Sequence, residues 1–163
     1  MLGRDYAGQN CSIARSLEIV GERWTLLIVR DAFLGVTRFE RFQERLRLAP
    51  NILTKRLRAL TDAGVLERRP YQERPPRDEY VLTDKGRELM EVFLALIAWG
   101  DRWTADEAGP PMLFRHKGCG ELTRAMVTCS CCGESLHARE VRIEPGPGAH
   151  VGRGTRPLEQ LLE

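Results

Sequence analysis

The chain has 163 residues, a net charge of +2 and an apolar fraction of 42%, enough for one domain with a buried core and a small appendage. No apolar run approaches the roughly 20 residues that cross a bilayer, and the first residues lack the apolar stretch of a secretory signal. A cytoplasmic protein without a membrane partner is therefore expected. Five cysteines, four of them clustered near a histidine, argue against a disulfide framework and for metal or thiol chemistry.

Residues 1–10 read as a loose arm. Residues 12–20 carry Ile13, Leu17 and Val20 at helical spacing and stop at Gly21. A second, largely apolar helix is expected over 24–34, ending at Gly35, and Thr37 suits the start of a very short strand. A third helix over 38–48 would turn Phe39, Phe42 and Leu46 inward. Pro50 then opens a fourth, 50–63, since a proline in the first turn costs no hydrogen bond, and Gly64 closes it.

On that fourth helix Leu53, Leu57 and Leu60 form the buried stripe, and Asn51, Thr54, Lys55 and Arg58 fall on the opposite face. Asn and Arg can bond base edges in two places at once, while Lys and Thr suit phosphates. Asp62 lies near the C-terminal end of that face, so DNA contact should fall on the N-terminal half. Two strand-like runs follow, 65–71 and 78–83, joined by a tip over 72–77 in which Arg74 and Arg77 flank Pro75 and Pro76. A helix feeding a two-stranded wing with cations at its turn is the arrangement of a DNA reader. Charge agrees: residues 38–77 hold eleven Lys and Arg against five Asp and Glu, while residues 105–163 hold seven against eight. Arg38, at the head of the third helix, joins Asn51, Thr54, Lys55, Arg58, Arg74 and Arg77 as a candidate DNA contact.

Thr83 is a natural cap for a long fifth helix over 84–103, with Asp84 in its first turn. Its apolar residues, among them Leu89, Val92, Phe93, Leu96, Trp99 and Trp103, cover more than one stripe, so a symmetric partner is expected to bury the surplus. The Gly and Pro of 105–111 mark a linker, 112–144 a small module, and 145–163 a flexible tail in which 157–163 could hold a short amphipathic turn.

In the module His116-x2-Cys119 precedes Cys129-x2-Cys132, and each pair is followed by Gly and Glu. Ligands three positions apart in a tight turn can face one ion, and the glycine after them permits the turn. Four protein ligands favour a structural Zn²⁺ in a ribbon-like fold, with Cys131 and His137 as rival ligands and strands expected over 122–127 and 137–143. An enzyme is not expected. The chain has only three histidines and neither a phosphate-cradling glycine loop nor a recognisable acid/base pair.

Residues 11 to about 104 resemble the HxlR-type winged helix-turn-helix regulators. The likeness rests on Cys11 to Arg15, Gly21 to Ile28, Arg38-Phe39, Leu53 to Leu57, Ala63 to Leu66, Pro75 to Tyr80 and Leu82 to Gly86. It implies an α+β fold: a mainly helical domain with a two-stranded wing and a long dimerisation helix. It also implies a homodimer, held by helix 84–103 and the N-terminal helix, that binds near-palindromic double-stranded DNA through the fourth helix and wing. The Cys-rich extension occurs in only part of that family, and Ser12 stands where relatives often have Pro. Some members use a cysteine at the place of Cys11 to sense quinones, aldehydes or oxidants. A thiol at a helix N-terminus near Arg15 could react as thiolate, or serve as a small packing residue. A protein-interaction module of winged helix and ribbon is the competing reading, and no small-molecule effector is named by any residue.

Overall fold

The computed structural model describes residues 5–6 and 9–150 of the chain. Five helices and two small sheets follow in order: α1 (Ser12–Val20), α2 (Thr25–Phe33), α3 (Phe39–Leu46), α4 (Pro50–Asp62), β1 (Leu66–Glu73), β2 (Pro76–Leu82), α5 (Asp84–Thr104), β3 (Phe114–Arg115) and β4 (Leu122–Thr123). The chain divides into two compact units, one running to Arg87 and resuming at Ile143, the other spanning Glu88–Arg142. The division falls inside α5, whose first turn belongs to the former. The expected arm at 1–4 and 7–8, and the tail and turn beyond 150, lie outside the described residues.

The first unit packs α2, α3, α4 and the wing around Ile28, Val29, Phe42, Leu53, Leu57, Leu60, Val65 and Leu66, none more than 1% exposed. Each such aliphatic or aromatic side chain contributes about 1.5–3 kcal/mol on burial. The stripe expected on α4 is thus core, while of that on α3 Phe42 and Leu46 are buried and Phe39 is only half-buried. α1 differs: Ala14 is its buried residue, while Ile13 and Leu17 face solvent. Among the described residues one carboxylate is wholly buried. Asp31 of α2 takes Arg30 at 2.8 Å and Arg45 of α3 at 3.1 Å, which fixes the two helices against each other.

α4 ends as its sequence suggests. Gly64 adopts φ +69, Val65 N–H bonds Leu60 O at 2.9 Å and Gly64 N–H bonds Thr61 O at 2.9 Å, closing the helix while Val65 folds back into the core. β1 and β2 pair antiparallel from Leu66↔Leu82 to Glu73↔Pro76, with a shift in register between Pro70 and Gln72. The strands run further than expected, so the wing tip is not the six residues 72–77 but only Arg74 and Pro75. A bridge between Arg38 and Glu79, with Tyr80 N–H on Thr37 O at 2.7 Å, supplies the short strand contact expected at Thr37.

Thr83 caps α5: its Oγ1 accepts Gly86 N–H at 3.1 Å and donates toward Gly64 O at 2.6 Å. A Cβ at Gly86 would lie 2.2 Å from Val65 O, so only glycine lets the first turn of α5 cross the base of the wing.

In the second unit the strands depart from expectation. Phe114–Arg115 pairs with Leu122–Thr123, residues 124–127 leave the sheet, and 137–143 is turn and irregular chain rather than strand. Tight hairpins, not extended strands, organise this segment. From residue 94 to 150 no side chain is buried.

Candidate nucleic-acid interface

α3 and α4 meet through Arg47, Leu48 and Ala49, with Arg47 in the left-handed region at φ 51 and Leu48 only 6% exposed. This is a helix–turn–helix, in which the second helix presents its free face to solvent. Asn51, Thr54, Lys55 and Arg58 are all exposed on that face, opposite the buried leucines. Their local bonds differ. Asn51 Oδ1 accepts Ile52 N–H at 2.9 Å, and Thr54 Oγ1 donates to Pro50 O at 2.8 Å. Arg58 reaches Asp62 at 3.7 Å, an exposed pair one turn along the helix. Lys55 makes no ion pair among the described residues.

Beside α4 the wing brings two predicted cations to one aromatic ring. The register shift leaves Tyr71 as the extra residue of a bulge, a device that re-aims a side chain. Pro70, which has no N–H to give the ladder, sits next to it. Arg38 stacks on the Tyr71 ring at 4.6 Å. Arg77 is tied to the same residue: a side-chain hydrogen bond to Tyr71, then electrostatic interaction with Tyr71 and Glu40, raise its pKa. Glu40 lies 3.8 Å from it. Arg74 is exposed at the tip, where its carbonyl accepts Gln72 Nε2 at 3.0 Å.

Tyr71 was not among the residues picked from the sequence, because its role depends on a bulge that no local pattern announces. The structure also trims the basic surplus. Arg45 is bound to buried Asp31, Arg56 is only 13% exposed and pairs with Glu22 at 3.2 Å, and Arg68 and Arg69 are paired with Asp78 and Glu67. Between residues 38 and 77 the exposed cations outside any ion pair are Arg38, Lys55 and Arg74, all singled out from the sequence, and Arg47 of the turn, which was not; Arg58 and Arg77 are held only in the longer pairs with Asp62 and Glu40, at 3.7 and 3.8 Å.

Cys11 is half-buried and occupies the N-cap of α1 in an extended conformation. Arg15 donates from its side chain to Ser12 Oγ at 3.2 Å.

The candidate metal ligands come together within each pair. His116 Nδ1 lies 3.3 Å from Cys119 Sγ. Cys131 N–H points at Cys129 Sγ at 3.5 Å, and the amides of Cys132 and Cys131, then the Cys132 thiol, hold the Cys129 pKa below the ordinary thiol value. Among the described residues no group of three or more His, Cys, Asp and Glu is gathered closely enough to hold a metal ion. His137 instead lines an apolar cavity of about 620 Å³ walled by Leu94, Ile97, Met112 and Phe114.

Known proteins share this architecture. An uncharacterized HTH-type transcriptional regulator of Mycobacterium tuberculosis is 46% identical over 137 residues, 84% of this chain and 87% of the relative. One from Synechocystis is 34% identical over 112 residues, 68% of this chain and 83% of its own. Among solved structures, a candidate transcription factor of Pseudomonas aeruginosa, PA1374, matches with TM-score 0.61 and 42% identity, covering 86% of this chain and 95% of that one. PA1607, likewise described as a candidate transcription factor, gives TM-score 0.74 at 38% identity, covering 83% and 94%. The redox regulator HypR in its reduced form gives 0.54 at 29% identity, covering 56% and 92%. Residues 19–108 match the family described as HxlR-like helix-turn-helix, and the chain belongs to that family.

Proposed function

We propose that this protein is a dimeric transcriptional regulator that binds specific double-stranded DNA, with α4 in the major groove and the wing on the flanking backbone. The observation that carries the reading is the exposed set Asn51, Thr54, Lys55 and Arg58 on α4, beside Arg38 and Arg77 held on Tyr71. Base-reading and phosphate-binding groups share one surface, as specific recognition requires.

Dimerisation is supported by a single apolar line on α5. Val92, Leu96, Trp99 and Trp103 are 53%, 47%, 60% and 69% exposed, and their spacings of four, three and four are those of a helix-pairing seam. Ile13 and Leu17 add exposed apolar surface on α1. A two-fold pair would present two α4 helices to half-sites about 34 Å apart. Selection of bound duplexes from a random pool tests the reading: enrichment of a near-palindrome is expected, and equal retention of all sequences would refute it.

A second reading, thiol sensing through Cys11, draws on its helix-cap position and on the likeness to HypR. Alkylation of Cys11 no faster than a free thiol would rule it out.

A further inference from the structure

We infer that His116, Cys119, Cys129 and Cys132 bind one structural Zn²⁺, and that neither Cys131 nor His137 is a ligand. The inference stands apart from the DNA-binding reading, since it concerns the second unit alone.

The two hairpins of this unit are copies of one another, thirteen residues apart. His116 N–H bonds Glu121 O at 2.9 Å, and Cys129 N–H bonds Glu134 O at 2.7 Å. Gly120 N–H returns to His116 O at 2.8 Å, and Gly133 N–H to Cys129 O at 2.9 Å. Both glycines take the left-handed conformation, at φ 76 and 77. The pairing just outside each turn also repeats: Arg115↔Leu122 in one, Thr128↔Ser135 in the other. A turn that returns N–H to the first ligand's carbonyl and passes through a left-handed glycine aims residues one and four inward. That is the half-site of a zinc knuckle.

The repeat decides which residues are ligands. Cys132 corresponds to Cys119, and Cys131 corresponds to Gly118, a position with no donor side chain in the first hairpin. What Cys131 contributes is its amide, aimed at Cys129 Sγ. Gly118 is small for a reason: a Cβ there would meet the His116 ring at 2.8 Å. His137 lies beyond the repeat, on the cavity wall. Within the first pair, 3.3 Å between Nδ1 and Sγ is near the edge of a zinc tetrahedron. With Zn–N about 2.0–2.1 Å and Zn–S about 2.3 Å, that edge is roughly 3.5 Å.

Stability points the same way. No side chain from 94 to 150 is buried, so the hairpins have no apolar core of their own, and modules this small rely on a metal or disulfides. All five cysteines are unpaired. Binding deprotonates three thiols, releases three protons to solvent and leaves a site of three sulfurs and one nitrogen with one net negative charge.

Metal analysis of the full-length chain, prepared with zinc present and then desalted, tests this. One zinc per chain is expected, retained in Cys131→Ser and His137→Gln and lost in Cys132→Ser and His116→Ala. Because a misfolded ligand variant would also lose metal, cobalt titration of the unmodified chain is the second measurement. Strong tetrahedral d–d bands with thiolate charge transfer are expected. Weak octahedral absorption, iron in place of zinc, an oxidised Cys129–Cys132 pair without metal, or equal loss in Cys131→Ser and Cys132→Ser would each overturn the assignment.

Discussion

Arg58 and Lys55 lie on the same face of α4 but should answer different questions. A guanidinium can bond a guanine edge in two places, so Arg58→Ala should cost about 1–3 kcal/mol on the selected site and relax specificity there. Lys55→Ala should weaken all sequences alike and lower the salt slope by about one. Fluorescence anisotropy across a salt series separates the two. Thr54 has already given its proton to Pro50 O, so in this rotamer it can accept from a base or touch a thymine methyl but cannot donate to a phosphate. Tyr71 is the residue-scale surprise. Tyr71→Ala removes the ring under Arg38 and the partner of Arg77, and should loosen DNA on the order of tenfold while sparing the fold of α4. Unchanged affinity with a native circular dichroism spectrum would show the two arginines to be positioned without it.

At the scale of elements, the close approach of α5 to the base of the wing makes Gly86 a sensitive position. Gly86→Ala drives a Cβ against a backbone carbonyl that no rotamer can move, and should destabilise the domain by about 1–3 kcal/mol in urea unfolding. An unchanged midpoint would mean the wing shifts freely. The helices of the first unit were legible because each carries its own signals: Pro50 at the start, leucines at spacings of four and three, Gly64 at the end. The wing was legible as two runs but not in its details. Whether residues 72–77 form a loop or extend the ladder depends on cross-strand pairing, and so does the bulge at Tyr71. The module's strands were misplaced for a related reason. With two-residue pairings, alternation has too few positions to register, and the turns carry the structure instead.

For the whole molecule, the exposed line on α5 makes the oligomeric state the decisive measurement. Trp99→Glu places a charge in the middle of that line and should convert a dimer to a monomer in sedimentation. Loss of the second half-site should then weaken operator binding by about a hundredfold, because the second contact is no longer intramolecular. A Trp99→Glu chain that remains dimeric would place the interface elsewhere, with Ile13 and Leu17 of α1 as the next surface to change.

The sequence by itself determined the order and type of the main elements, the buried stripes of α3 and α4, and the exposed face of α4. These follow from periodicity and caps, which act between residues a turn or less apart. Only the tertiary structure decided which arginines are consumed by ion pairs, that Tyr71 gathers Arg38 and Arg77, that Gly86 cannot bear a side chain, and which face of α5 is left uncovered. Those depend on what a residue meets from a distant part of the chain, and no local spacing records it.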